Sequence, residues 1–305
     1  MPGERNAVEI DDLPRTASVP RDLEREKQTR GGLSMSGRFE GQVAIITGGG
    51  RGIGRETALA FAEESAHVVV AGRRMDALEI TAREVRESGG TASTLHCDVA
   101  VDGDLEALVE AVLHECGQID VLVNNASALV AGALHETRPE DLRRAADVDV
   151  WAPMRLTQLV LPHMLERRSG TIVNISSLAG RFGVPYYAAF SASKYAMRGF
   201  AEALRRELAG TGVHVVSVFP GAIADDSAEN VEFDRFGFAL VTAAQVGRAI
   251  VRGVRLHTPE VFLGIGDAAV AHWNDFLPTT IDTAAELLRR RFEAAARSRT
   301  ASSLA

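Results

Sequence analysis

Short apolar runs alternate with longer amphipathic stretches from Gln42 to about residue 266. The apolar runs are rich in valine and isoleucine, a pattern that predicts buried strands. The stretches between them repeat apolar residues at helical spacing, which predicts amphipathic helices. Strands and helices that alternate in this way form a parallel sheet through right-handed crossovers. The sequence therefore predicts an α/β fold with a doubly wound parallel sheet.

The same pattern sets the expected boundaries of the elements. Strands are predicted at residues 43–46, 67–70, 94–96, 121–123, 171–175, 213–218 and 261–263. The clearest helices are predicted at residues 55–64, 105–116 and 190–208. Because no internal repeat or low-complexity tract interrupts the alternation, we predict a single domain that covers residues 39–266.

The two ends of the chain differ in composition from this domain. Residues 1–38 combine charges of both signs with prolines and few aromatic residues, which predicts a flexible tail, with a targeting or docking segment as the alternative. Residues 267–305 predict a helical extension of two helices separated by Pro278. We expect it to pack on the subunit or on a dimer mate. Attachment of its basic second helix to an anionic membrane is the alternative.

Charge and cysteine content narrow the classes of partner. The net charge of -8 disfavours nonspecific binding to nucleic acid and to anionic membranes. Cys97 and Cys116 lack the spacing of a metal site or of a redox pair, so we expect reduced thiols, no metal and a cytoplasmic protein. No apolar stretch approaches the roughly 20 residues of a membrane span. The expected partner is a small-molecule substrate.

A glycine-rich loop follows the first predicted strand at once and leads into a helix. Its residues are Gly48, Gly50, Arg51, Gly52, Ile53 and Gly54. Glycines let the chain turn tightly and let its backbone approach a pyrophosphate, which then lies on the partial positive charge of the helix N-terminus. Because the loop follows a buried strand and opens a helix, it predicts a dinucleotide site.

The residues after the second predicted strand indicate which dinucleotide is bound. An acid at this point accepts hydrogen bonds from a free ribose 2′-hydroxyl, whereas an arginine pairs with a 2′-phosphate. This chain has Arg73 and Arg74 there, no acid before Asp76, and a further arginine at Arg51. The pattern favours NADP(H) over NAD(H). Its alternative is that the two adjacent arginines form a solvated turn.

Several motifs in order now resemble the short-chain dehydrogenase/reductase family over residues 39–266. They are the Thr47–Gly54 loop, Asp98-Val99 after the third strand, Asn124-Asn125-Ala126 after the fourth, Ser177 after the fifth, Lys194 on the next helix, and Pro220-Gly221 after the sixth. The resemblance implies a Rossmann fold, oxidoreductase activity on a carbonyl or alcohol, and a homodimer or homotetramer built through the helices after the fourth and fifth strands.

The resemblance also implies a set of cofactor contacts, each at the carboxyl end of a strand or on the helix after it. Asp98 and Val99 would contact the adenine, Asn125 and Ala126 the ribose through their main chains, Lys194 the hydroxyls of the nicotinamide ribose, and Gly221 and Ile223 the nicotinamide end.

One position departs from the family pattern in a way that bears on proton transfer. In such enzymes a serine holds the substrate carbonyl while a tyrosine, whose pKa an adjacent lysine lowers from about 10, supplies the proton. Tyrosine and lysine lie four residues apart so that both occupy one helix face. Here Ser177 and Lys194 are present, but the tyrosine position holds Phe190, which has no proton to give.

Three further departures surround the same cleft. Asp149 stands where an asparagine is usual, Ser127 where a glycine is usual, and Asp225 where a threonine is usual. Replacements for the missing acid are Tyr186 or Tyr187, just before the helix, and Asp149 in its neutral form. Each also has a plain structural interpretation: the tyrosines as pocket walls, and Asp149 as a satisfied polar group or an ion-pair partner of Lys194.

The candidate functions therefore fall into three classes. The first is an NADP(H)-dependent oxidoreductase whose proton comes from Ser177, a tyrosine, water or the substrate. The second is a dehydratase, cyclase or isomerase that uses Asp149, Ser177 and Lys194 on the same fold. The third is a nucleotide-binding regulatory protein without chemistry. In the first two classes we expect residues 225–240 to form a lid over the substrate.

Overall fold

A computed structural model describes residues 37–224, 240–277, 279, 280, 282 and 286. Within them, seven parallel strands form one sheet in the order β3-β2-β1-β4-β5-β6-β7. The strands are β1 (Val43–Thr47), β2 (His67–Gly72), β3 (Thr91–His96), β4 (Val121–Asn124), β5 (Gly170–Ile175), β6 (Val213–Phe219) and β7 (Glu260–Phe262). The predicted doubly wound α/β fold is confirmed.

Helices cover both faces of this sheet. They are α1 (Gly52–Glu63), α2 (Met75–Glu87), α3 (Asp102–Cys116), α4 (Pro139–Ala146), α5 (Ala152–Arg167), α6 (Ala188–Glu207), α7 (Ala243–Arg255) and α8 (Ile265–Phe276). Successive residues of β1 alternate between two cores: Ala44 and Ile46 face one, and Val43 and Ile45 face the other. Because both faces are buried, the strands are continuous apolar runs in the sequence.

The largest error in the predicted strands lies at the edge of the sheet. The third strand begins at Thr91 instead of residue 94, because β3 is the edge strand beside β2 and all of its residues except Ala92 are partly buried or exposed. An edge strand does not need a continuous apolar run, so its first residues carry no clear signal. The last strand is shifted by one residue, and α1 begins at Gly52 instead of residue 55.

The strand order reverses beside β1, which lies between β2 and β4. The chain first crosses from β1 to β2 on one side of β1. Later it crosses from β3 to β4, which pairs with the other side of β1. The loops that follow β1 and β4 therefore diverge and leave a crevice at the carboxyl ends of these two strands, where proteins of this architecture bind ligands. The loop after β1 is the glycine-rich segment.

The first helix of the predicted C-terminal extension is α8, which begins at Ile265, slightly before the predicted boundary. Three predicted segments lie mostly outside the described residues: the tail at residues 1–38, of which only 37 and 38 are described, the lid at 225–240 and the second C-terminal helix. No helix in the described part of the chain is long and apolar enough to cross a membrane. The same residues contain no group of three or more histidines, cysteines or acids placed to hold a metal.

Candidate active site

The loop after β1 forms a cradle at the N-terminus of α1. Gly52 starts the helix with φ +52°, and a Cβ at this position would meet no atom within 4 Å, so this side of the loop is open. Gly54 is the opposite case, because a Cβ there would collide with the Gly48 carbonyl and lie 2.6 Å from Asn125 Nδ2. The first turn of α1 has no acidic residue, and Arg51 makes no capping hydrogen bond to it. The helix terminus therefore suits an anion such as a pyrophosphate.

Thr47 connects this cradle to the end of β4. Its Oγ1 accepts hydrogen bonds from the N–H groups of Asn125 (3.0 Å) and Ala126 (3.1 Å) and donates one to the Val123 carbonyl (3.3 Å). Asn125 Nδ2 donates in return to the Thr47 carbonyl at 2.8 Å. Since both N–H groups are bonded internally, their carbonyl oxygens remain for a ribose contact. The motif gave no indication of this role for Thr47.

The second part of the cradle follows β2 and β3. Arg73 and Arg74 are exposed, and the Arg73 guanidinium lies 4.0 Å from a carboxylate oxygen of Asp98. Asp98 is partly exposed and its N–H donates to Asp104 Oδ2 at 2.8 Å, while Val99 is 6% exposed. The structure thus brings the predicted adenine and 2′-phosphate residues to the same edge as the glycine loop, and this arrangement fits an NADP-like group.

The centre of the cleft contains a buried ion pair. Lys194 Nζ lies 3.0 Å from Asp149 Oδ1 and donates a second hydrogen bond to the Ile175 carbonyl at 3.3 Å. The other oxygen of Asp149 accepts a hydrogen bond from the N–H of Ala128 at 3.1 Å. Asp149 is 1% exposed and Lys194 is 3% exposed. Two charges removed from water in this way require each other, because either charge alone would be costly to bury.

A widened helical turn places Asp149 in this pair. Residues Asp147–Trp151 form a π-helical turn between α4 and α5. Such turns add one residue to a helical turn and are frequent at functional sites. Asp149, in the middle of this turn, faces Lys194 of α6 and the loop after β4. Sequence periodicity does not reveal the turn, because an apolar pattern is interpreted with the spacing of a regular helix.

Ser177 follows β5 and begins the 3-10 turn Leu178–Gly180. It is half-buried, and its Oγ accepts a hydrogen bond from the N–H of Ala179 at 3.1 Å. Among the described residues no acceptor for its own hydroxyl hydrogen is present. Ser177 can therefore donate that hydrogen to a substrate oxygen.

Phe190 lies on α6, one helical turn before Lys194. Its ring centroid is 5.3 Å from Lys194 Nζ, and its half-buried side chain also meets the edge of the Tyr187 ring at a centroid distance of 6.4 Å. Tyr187 is only 7% exposed, which agrees with its interpretation as a pocket wall. Tyr195, the residue after Lys194, is directed differently, and its hydroxyl lies 3.4 Å from Asn274 Nδ2 on α8.

The remaining predicted residues are only partly brought into the site. Gly221 and Ile223 are half-buried after β6, and Ile223 forms a parallel bridge with Val241. Ser127 is exposed on the loop after β4. Asp225 lies outside the described residues. Ser177, Lys194, Phe190 and Asp149 are thus contributed by the end of β5, by α6 and by the π-helical turn.

Sequence reasoning missed one buried cation near Ser177. Arg181 is 2% exposed, and its guanidinium bonds to both Glu260 carboxylate oxygens at 3.0 Å and to Asp275 Oδ2 at 2.9 Å. It also lies 5.3 and 5.6 Å from the ring centroids of Phe219 and Phe262. An isolated arginine carries no motif, and its partners are distant in sequence, so nothing in the sequence pointed to this cluster.

Comparison with known proteins agrees with this geometry. The family model for the short chain dehydrogenase matches residues 42–235. The ketoacyl reductase HetN of Nostoc sp. is 35% identical over 226 residues, which cover 73% of this chain and 78% of the relative.

Two solved structures at 30% identity or more show the same fold. One is a variant of actinorhodin polyketide ketoreductase with NADPH, 34% identical, with a TM-score of 0.65 over 75% of this chain and 92% of that one. The other is a metagenomic short-chain oxidoreductase in complex with NADP, 30% identical, with a TM-score of 0.63 over 71% of this chain and 91% of that one.

The fold and the cradle define an α/β protein built to hold a dinucleotide at the switch point of its sheet. With the family match over most of the domain, the chain belongs to the short-chain dehydrogenase/reductase family and is an oxidoreductase of that family.

Proposed function

We propose that the protein is an NADP(H)-dependent oxidoreductase that acts on a carbonyl or alcohol substrate without a proton from residue 190. The observation that carries the cofactor assignment is the open N-terminus of α1 beside the exposed Arg51, Arg73 and Arg74. N–H groups at a helix terminus suit a pyrophosphate, and guanidinium groups suit a 2′-phosphate. The solved relatives with NADP or NADPH support this choice.

The reduced nicotinamide supplies a hydride when it is bound. Lys194 stands ready to hold the ribose next to it, since two of its N–H groups bond Asp149 and the Ile175 carbonyl and the third remains. Ser177 holds the substrate oxygen through its hydroxyl hydrogen. Phe190 and Tyr187 form an aromatic wall beside these two groups. The chain thus orients the substrate and excludes water from part of the cleft.

Several residues are poorly suited to donate the proton. Phe190 occupies the position at which the family resemblance places a tyrosine. Both oxygens of Asp149 are already occupied as hydrogen-bond acceptors, one of them by the Lys194 ammonium. Water that reaches the half-buried Ser177 hydroxyl is left as the source. The substrate oxygen takes the serine proton, and water restores it, so that one hydride and one proton are added in total.

The cofactor assignment is tested with Arg73→Ala/Arg74→Ala. We expect the Kd for NADPH to rise more than about tenfold, because two charge-assisted contacts to the 2′-phosphate are lost, whereas the Kd for NADH should change little. Fluorescence titration measures both values. Arg83→Ala is the matched control, since Arg83 is an exposed arginine on α2 that pairs with Glu87.

Hydride transfer is measured in the same preparations with NADPH deuterated at the transferring carbon and a panel of ketones. Mass spectrometry then detects label at the carbinol carbon even when turnover is slow. NADPH binding without any label in product, over the whole panel, would refute the redox proposal.

A non-redox enzyme is the second candidate, and the observation that favours it is the Asp149–Lys194 pair beside a residue without a proton. Its product would form equally well with NADP+ and with NADPH bound. Assembly as a homodimer or homotetramer through α5 and α6 also stays a proposal. It is supported by the exposed apolar side chains of Trp151, Met154 and Leu165 on this side of the domain.

A further inference from the structure

Two buried cations of this domain, Lys194 and Arg181, are neutralised by carboxylates. Lys194 is paired with Asp149, and Arg181 is paired with Glu260 and Asp275. Each pairing leaves little net positive charge to face a substrate. Electrostatic stabilisation in a cleft depends on charges that remain uncompensated where the substrate's charge changes. This balance decides which kind of double bond the site can reduce.

A site whose cations are already paired with carboxylates stabilises the reduction of a carbonyl poorly. When hydride reaches its carbon, negative charge develops on oxygen, and this charge needs an acid or an uncompensated cation nearby. Phe190 offers a hydrocarbon ring, and the Lys194 ammonium is shared with a carboxylate 3.0 Å away. The Ser177 hydroxyl, whose hydrogen has no acceptor among the described residues, is then the group available to meet the oxygen. Loss of general acid help costs typically about 10²- to 10⁴-fold in rate.

An iminium ion has the opposite requirement. Its carbon accepts the hydride, the C=N π electrons become the nitrogen lone pair, and the charge falls from positive to zero. One C–H bond forms, the reduced nicotinamide is oxidised, and no proton is consumed. The half-buried ring of Phe190, backed by the buried Tyr187, is favourable to an organic cation. A site with paired cations and no acid is therefore suited to this reaction.

We propose that this site reduces preformed iminium ions in preference to ketones, and that Asp149 is a positioning residue that allows a cation to approach by compensating Lys194. The proposal rests on the proposed function, because it needs NADPH as the reductant. Asp149 acts through Lys194, since the described contacts of its two oxygens are with Lys194 and with the N–H of Ala128. The substrate class is a substituted C=N+ carbon beside an apolar ring.

The first experiment compares an N-alkyl dihydroisoquinolinium ion with a tetralone of matched ring size. We expect the parent protein to reduce the iminium at least about 10²-fold faster in kcat/KM, because the ketone lacks its acid. Phe190→Tyr should raise kcat/KM for the ketone by about 10²-fold or more relative to kcat/KM for the iminium, because the new hydroxyl supplies the acid that only the ketone needs. The iminium rate should be independent of pH near neutrality, since no proton enters the step.

A second readout does not depend on turnover. Calorimetry on the protein without cofactor measures binding of the iminium ion and of the ketone. Asp149→Asn should weaken iminium binding by about tenfold and leave ketone binding nearly unchanged, because the released Lys194 charge repels only the cation. Glu87→Gln is the control, since it removes one negative charge from an exposed site on α2.

The outcomes separate the two proposals. Equal reduction of ketone and iminium by the parent, or an equal gain of both with Phe190→Tyr, would overturn the iminium proposal alone. Ketone turnover without iminium turnover would do the same. Failure to bind NADPH would overturn this proposal together with the proposed function. If Asp149→Asn does not fold, Phe190→Tyr still gives the decisive comparison, because that residue is half-buried and lies outside the ion pair.

Discussion

Asp149 and Lys194 are residues whose burial is tolerable only in each other's presence. They are 1% and 3% exposed, and their charged atoms lie 3.0 Å apart. The cost of removing each ion from water is repaid by its partner and by the hydrogen bonds from Ala128 and to Ile175. The pair is therefore a structural element of the domain as well as part of its cleft.

This dependence predicts a large loss of stability for Asp149→Ala. We expect the free energy of unfolding to fall by about 3–5 kcal/mol, because Lys194 would remain as an uncompensated buried charge. The double variant Asp149→Ala/Lys194→Met should lose less than the single one, since both charges are then gone. Urea unfolding followed by circular dichroism measures the difference. A double variant less stable than Asp149→Ala would contradict this account.

The sequence could predict which residues meet at this site but not how they share their bonds. Ser177, Lys194 and Asp149 follow from motif order, because strand ends in a parallel sheet converge at one edge. Whether Asp149 is an ion-pair partner or a neutral acid depends on the distance between its carboxylate and Lys194 Nζ, which is 3.0 Å. The number of residues between two positions in the sequence does not give such a distance. The assignment of Phe190 to the tyrosine position stays a prediction, supported by its place one turn before Lys194.

At the scale of elements, α8 is held to the domain by a charged cluster. Arg181, which follows the turn after Ser177, bonds Asp275 on α8, and Arg198 on α6 bonds the same carboxylate at 2.9 and 3.0 Å. A hydrogen bond from Arg198, together with the charge of Arg181, holds the pKa of Asp275 below its usual value. Asn274 adds a hydrogen bond to the Arg181 carbonyl at 2.7 Å.

Arg181→Met should therefore release α8 before it unfolds the sheet. We expect a loss of about 1–3 kcal/mol in the free energy of unfolding, because Glu260 and Asp275 both lose a hydrogen-bonding partner but remain partly exposed to water. Hydrogen exchange should show the earliest loss of protection in α8. Arg198→Ala is the comparison, with a smaller effect, because its side chain is 23% exposed and water replaces it more readily. Unchanged exchange in α8 would show that other contacts hold the helix.

Elements differed in how well the sequence revealed them. Strands buried on both faces, such as β1 and β5, were predicted to within one residue, since continuous apolar runs have few other interpretations. For the edge strand β3 the predicted start lay three residues too late, because its exposed positions are polar and interrupt the apolar run. The charged cluster around α8 was not predicted at all, since its members come from four separate elements or turns and have no shared pattern.

At the scale of the whole molecule, burial lowers the pKa of two histidines. Burial lowers the pKa of His67, which starts β2, and burial together with His257 lowers the pKa of His214. The rings of His214 and His257 stack at a centroid distance of 3.6 Å, so a charge on one opposes a charge on the other. Both groups lie at the amino ends of strands, away from the cofactor edge.

Stability should therefore decrease as the pH falls below about 6.5, the value for histidine in an unfolded chain. Below that pH the unfolded chain takes up protons that the folded chain resists, and the loss grows until the lowered pKa values are passed. The thermal midpoint between about pH 8 and pH 5 measures it. His67→Gln/His214→Gln should flatten this dependence, whereas the exposed His135→Gln should not. An equally steep profile in the double variant would exclude these two groups.

The π-helical turn at Asp147–Trp151 also determines how far the faces of α4 and α5 are rotated relative to each other about the helix axis. A regular helix advances about 100° per residue, so one added residue rotates everything after it relative to everything before it. As a result the buried face of α5 is rotated about the helix axis relative to that of α4, and Asp149 lies in the turn that joins the two helices. The face that α5 buries, which includes Ala152, Leu156 and Val160, is therefore set by this turn as well as by the spacing of its own apolar residues.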